Sequence, residues 1–226
     1  MLTAPLRILA FSDLHGRAMK KASQLIDDVR PDWIVLCGDI LPDFSMISGK
    51  GNRLDAQRSF WSVYRSNFVR DYAVTTLVRG NHEIEGFSDP GLGRLPPEVQ
   101  DHVVRLEGIP LEFGGWGWSR EWEDEELEVE FQGQLRECPS PRIYLSHVPP
   151  FGSQDRTASG EHIGHRCLLQ YLTERGWPKA LVLCGHVHES FGMIARGDTL
   201  IVNISCGFAL LEYGSGAATV VRMERL

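Results

Sequence analysis

Five short apolar runs in this chain each end on carboxylate, imidazole or amide residues, and this recurrence constrains the fold more than any other feature. The runs are LRILAFS (Leu6–Ser12), DWIVLCG (Asp32–Gly38), AVTTLVRG (Ala73–Gly80), RIYLSH (Arg142–His147) and ALVLCGH (Ala180–His186). Their shortness and their content of Val, Ile and Leu predict buried strands. After the first run, Ala18, Ala22, Leu25, Ile26 and Val29 recur at helical spacing on one face. Leu54 to Arg70 reads as a second helix. A β-α-β-α-β opening implies a parallel inner sheet with right-handed crossovers.

The middle of the chain, Glu85 to Ser140, is less regular and rich in Gly, Trp and acid. A strand near Leu111–Phe113, a helix near Glu125–Glu137 and a helix over Ile163–Arg175 are expected, with His102 on a surface helix. The tail after Ser190 reads as short antiparallel strands, with Gly197-Asp198 as a hairpin turn. No repeat or linker interrupts residues 1–226, so a single α/β domain with two sheets is expected, and the length suffices for a sizeable core.

The composition narrows the partners. The formal charge is -7, with acid concentrated between Glu121 and Glu130, which argues against a protein that coats nucleic acid. No apolar run reaches the ~20 residues of a membrane span. The N-terminus lacks the pattern of a signal peptide, so a cytoplasmic location is expected. The cysteines Cys37, Cys138, Cys167, Cys184 and Cys206 show no C-x-x-C spacing and read as free thiols.

The blocks that close the strands hold Asp13 and His15, Asp39, Asn81 with His82 and Glu83, His147, and His186 with His188. Carboxyl ends of parallel strands meet along one edge, so these residues are expected to converge. Asp13, His15, Asp39, Asn81, His147, His186 and His188 form a nitrogen and oxygen donor set without thiolate, suited to Mn, Fe or Zn. Seven donors exceed what one ion needs, and two ions sharing a carboxylate fit the count. Period-2 spacing would put Asp13 with His15, and His186 with His188, on one side, with Leu14 and Val187 packed down.

The order D-x-H, G-D, G-N-H-E, H, G-H-x-H resembles the calcineurin-like metallophosphoesterase superfamily over nearly the whole chain. The segment SHVPPFGSQDRTASGEHIG is similar to its small single-domain branch, which includes cyclic-nucleotide phosphodiesterase-like and metallophosphoesterase-domain-containing proteins. The resemblance implies a four-layer α/β/β/α sandwich of two mixed β-sheets flanked by helices. It implies Asp13, His15, Asp39 and His188 on one metal, and Asp39, Asn81, His147 and His186 on a second. The ions would be Mn, Fe, Zn or Ni. The implied chemistry is in-line attack at phosphorus by a metal-bridging hydroxide, with His82 contacting a phosphoryl oxygen or protonating the leaving group.

Related Ser/Thr phosphatases carry an acid three places after the bridging Asp; here Pro42 stands there, and Asp43 is the candidate partner of His82. Asn81 and His162 are candidate substrate contacts. Glu83 reads as support for its neighbours, Asn203 as structural, and Trp116, Trp118 and Trp122 as packing residues. A small phosphate ester is the expected substrate. The alternatives are a nuclease, a protein phosphatase, or a metal-bound scaffold that acts by binding protein.

Overall fold

The computed structural model describes residues 4–42, 44, 47, 49–83, 87–107 and 120–226. Asp43, the expected strand at Leu111–Phe113, Trp116 and Trp118 lie outside the described residues, as does the side chain of Trp122.

The first sheet holds β1 (Leu6–Ser12), β2 (Trp33–Cys37), β3 (Val74–Val78), β9 (Gly207–Gly214) and β10 (Ala217–Arg225), in the order β10-β9-β1-β2-β3. The second holds β4 (Val103–Leu106), β5 (Ile143–Ser146), β6 (Ala180–Cys184), β7 (Gly192–Arg196) and β8 (Thr199–Asn203), in the order β4-β5-β6-β8-β7. β1, β2 and β3 are parallel, and β9 and β10 add antiparallel at the other edge. β4, β5, β6 and β8 are parallel, and β7 is antiparallel to β8. Both sheets are therefore mixed.

Helices α1 (Met19–Val29), α2 (Lys50–Tyr64), α3 (Arg120–Glu137) and α4 (Arg166–Glu174) flank them. Alternation along the strands divides the interior into layers. Ile8 and Ala10 of β1 face Leu181 and Leu183 of β6 in the core between the sheets. Leu9 and Phe11 of the same strand pack with Ala22 and Ile26 of α1 and Trp61 of α2. Val182 and Cys184 of β6 pack with Phe131 of α3 and Leu172 of α4. Covering both faces of the central strands explains why their sequences are continuous apolar runs rather than alternating ones.

Two expectations need correction. The tail is not wholly antiparallel: Gly197-Asp198 does turn the β7–β8 hairpin, but β8 then pairs in parallel with β6. His102 is not on a long helix; it ends a 3-10 turn (Gln100–His102) leading into β4. The Val103–Leu106 run becomes a strand by pairing with β5, a long-range contact that local sequence does not encode. Among the described residues, no helix is long and apolar enough to cross a membrane.

Candidate metal centre

The strand-end loops are locked to one another largely through their backbone amides. The Asp13 amide donates to Gly38 O at 3.0 Å, and the His15 amide to Asp39 O at 2.8 Å, which zips the loop after β1 to the loop after β2. The loop after β6 joins them where the His186 amide donates to Asp13 Oδ2 at 2.9 Å. Gly185 is required at that crossing, because a Cβ there would run into Ser12 Oγ and Asp13 Oδ2.

The period-2 argument fails for H-x-H, whose histidines part, and for D-x-H it gives the right neighbours through a different backbone. Asp13, His15, Asp39 and His186 take left-handed φ of 55°, 47°, 53° and 69°. His188 opens a 3-10 turn rather than continuing a strand. The chain coils sharply at each block; in the first the coil brings Asp13 and His15 together, and in the second it sends His186 and His188 to different neighbours. Such conformations cost about 1 kcal/mol or more each for residues other than glycine and persist where surrounding contacts fix them. Leu14 and Val187 are buried as expected. Asn203 fixes the second block: its amide donates to Val187 O at 3.1 Å and to Gln154 O at 2.9 Å.

Asp13 Oδ1 lies 3.3 Å from His188 Nε2. Asp39 Oδ2 lies 3.3 Å from His147 Nε2, 3.8 Å from His82 Nε2 and 4.0 Å from His15 Nε2. Asn81 Oδ1 is 2.9 Å, and His186 Nδ1 3.2 Å, from the same His147 Nε2. Among the described residues, ligand atoms within 4.8 Å of one another form three groups: Asp13, His15 and His188; His15, Asp39 and His82; and Asp39, His147 and His186. Asp39 and His15 each belong to two of them. His186 and His188 fall into different groups despite being two residues apart.

The buried His147 ring is oriented by a bond between its Nδ1 and Cys37 O at 2.9 Å. In the neutral ring, Nδ1 donates to that carbonyl and Nε2 is the nitrogen that offers a lone pair. That lone pair faces oxygen atoms of Asp39 and Asn81 and a ring nitrogen of His186. Such a convergence of electron pairs suits a cation, so the donor set fits a metal pair.

The protonation states express the same crowding. Burial disfavours a charged His147, but the Asp39 carboxylate outweighs it and lifts the imidazole to about 10, a proton serving as the counter-charge. Burial also opposes ionisation of Asp39, yet the His147 charge and hydrogen bond hold it well below the usual carboxylate range. His186, whose Nε2 has no access to solvent, is pushed down to about 3 by burial and then by His147. The hydrogen bond to Asp13, then one to Cys206, raise His188 to about 10.

Glu83 supports two ligand loops together. Its Oε2 accepts from the Asp39 and Gly80 amides at 2.8 and 2.6 Å, and its Oε1 from Ile40 and Leu41 at 2.8 and 3.0 Å. Burial first, then the charge of Asp39, raise Glu83 to about 7 against the pull of the amide hydrogen bonds. Asp155 carried no signal in the sequence. It is buried, its Oδ2 accepts from the Gly152 and Gly164 amides at 2.9 Å each, and its Oδ1 lies 2.7 Å from His162 Nδ1. His165, in contrast, is enclosed at the start of α4.

Comparison with known proteins gives this geometry its context. The family model for calcineurin-like phosphoesterases matches residues 6–190. An uncharacterized protein of Methanocaldococcus jannaschii is 24% identical over 212 residues, covering 88% of each chain. Human metallophosphoesterase domain-containing protein 1 is 26% identical over 167 residues, covering 59% of this chain and 50% of that one. A crystal structure of a dimetal phosphatase from Danio rerio superposes with a TM-score of 0.50 at 13% identity, covering 98% of this chain and 100% of that one, a likeness of fold.

Proposed function

The chain belongs to the calcineurin-like phosphoesterase family, and from that premise we propose that it hydrolyses small phosphodiesters or phosphomonoesters with two metal ions. The observation that carries the reading is the ring of donor atoms around Asp39 and His147. In this reading Asp13, His15, Asp39 and His188 hold one ion, and Asp39, Asn81, His147 and His186 the other. Two bound transition-metal ions, such as manganese, supply Lewis acidity, making water nucleophilic near neutral pH and offsetting charge on phosphoryl oxygens.

The chain's own groups do the rest. The Cys37 carbonyl and Glu83 hold His147 and the Asp39 loop in their ligating orientations. His82, whose amide is fixed on Asp39 Oδ1 at 2.8 Å, presents a partly exposed ring beside His15. That ring hydrogen-bonds a phosphoryl oxygen or gives a proton to the departing ester oxygen. His162, oriented by Asp155, contacts the substrate from the loop after β5. We read residues 1–226 as one domain, since β9 returns from the C-terminal part to pair with β1.

A scaffold that binds only protein has no need of a complete donor set together with His82. The charge of -7 favours a small ester over a nucleic-acid strand. The test is metal analysis with a panel of aryl mono- and diesters, cyclic nucleotides and nucleotide anhydrides under Mn, Fe, Zn and Ni. Asp39→Asn should lose metal and turnover together. His82→Ala should retain metal and lose turnover by a factor of roughly 10² or more, and His162→Ala should raise KM with little change in kcat. Full activity after chelation would refute the reading.

A further inference from the structure

Helix α2 borders the candidate centre on the side of His15 and His82, and it is tied there. The buried Gln57 amide donates to His82 O at 2.6 Å and to Pro42 O at 2.9 Å. One turn on, the tip of the Phe60 ring lies close to Gly16, the residue after His15. A Cβ at Gly16 would lie 3.1 Å from Phe60 Cζ. Tyr64 stacks on Phe60 with centroids 4.5 Å apart, and Phe44 meets it edge-on at 6.3 Å. All three rings are partly exposed. The neighbouring His15 and His82 side chains are 23% and 24% exposed, so the centre is open to solvent on this flank.

Phe60 and Tyr64 pack against the core beneath α2, but with only part of their surface. The core beneath α2 is already filled by Trp61, Phe68, Phe11 and Phe87. Phe44, Phe60 and Tyr64 instead extend that core outward as an apolar ledge ending at a metal-ligand loop. We propose that Phe60, with Phe44 and Tyr64, determines specificity by packing against a planar ring in the organic group of the ester. The substrates are then nucleoside or aryl phosphoesters in preference to aliphatic ones. Ring stacking is tolerant of ring identity because every such ring has a π-face. The inference rests on the reading of the metal pair as the phosphate-binding centre.

The experiment separates the two. Binding is measured on the Mn-loaded protein with phenylphosphonate and ethylphosphonate, which share a head group and cannot be hydrolysed as esters. The expected result is about tenfold tighter binding of the phenyl compound, reduced to about threefold or less in Phe60→Leu with ethylphosphonate affinity unchanged. Tyr64→Leu gives a second reading of the same ledge if Phe60→Leu misfolds. Turnover of p-nitrophenyl diesters whose other group is thymidine-5′, phenyl or ethyl holds the leaving group constant and distinguishes a nucleoside from a simple aryl preference. Equal binding of the two phosphonates to the wild type, or equal weakening of both by Phe60→Leu, would overturn the proposal. Ring preference in binding without turnover of any diester supports the ledge and removes only the diesterase reading.

Discussion

Glu83→Gln is the most informative single change, because it keeps the shape of the side chain and alters only what it can accept. The carboxylate now takes four backbone N–H groups, from Asp39, Gly80, Ile40 and Leu41, inside a fully buried pocket. A carboxamide has one acceptor oxygen. Its amino group must face one of the two N–H pairs, leaving two buried donors unsatisfied. Each costs about 1–3 kcal/mol, or about 2–6 kcal/mol together. Removing a charge beside Asp39 returns part of this, because burial, and then the charge of Asp39, raise Glu83 to about 7. A net loss of about 2 kcal/mol follows, which for a chain of this size lowers Tm by roughly 4–8 °C. The displaced Asp39 loop should also weaken metal binding by about 10–100-fold. Equilibrium denaturation with and without metal, together with metal titration, measures both effects. A variant with wild-type stability and wild-type metal affinity would refute the view that Glu83 joins the ligand loops.

Two further changes probe separate parts of the fold. Gly185→Ala places a methyl group on Ser12 Oγ and Asp13 Oδ2, so a stability loss of about 1–3 kcal/mol should appear by denaturant titration together with weakened metal uptake; a neutral substitution would contradict the close crossing of these loops. Burial, and then the charge of His147, hold His165 down at about 3, whereas an unfolded histidine titrates near ~6.5. Its share of stability is therefore intact above about pH 6.5 and is lost as pH falls toward 3, so His165→Phe should make the stability-versus-pH slope between about pH 6 and 4 shallower by up to ~1.4 kcal/mol per pH unit. An unchanged slope would exclude His165 as the acid-sensitive group.

The candidate ligands were legible in the sequence because parallel strands deliver their carboxyl ends to one edge whatever the intervening loops do. Asp13, Asp39, His147 and His186 each follow a strand recognisable from its apolar run alone. The local backbone was not legible. Left-handed φ is normally signalled by glycine, and at Asp13, His15, Asp39 and His186 it is imposed by contacts between loops instead. Glu83 could be placed near the site, but its four amide partners come from two loops that only the fold brings together. Asp155 gave no sign of itself for the same reason. β4 escaped notice because its Val-Val-Arg-Leu run is short and gains its pairing from β5, more than thirty-five residues downstream.

His147 belongs to the second sheet, yet its Nδ1 rests on Cys37 O of the first. The centre therefore lies on the seam between two layers whose strands come from distant parts of the chain. This has a consequence for biosynthesis. Asp13 and Asp39 leave the ribosome long before His186 and His188; the 149 residues from Asp39 to His188 take roughly 7–30 s at ~5–20 residues per second. Throughout that interval the nascent chain has both carboxylates and His15 but lacks His188, and for most of it His147 and His186 as well. In the proposed reading, tight loading is thereby deferred until the seam closes, and metal content would serve as a record of finished assembly.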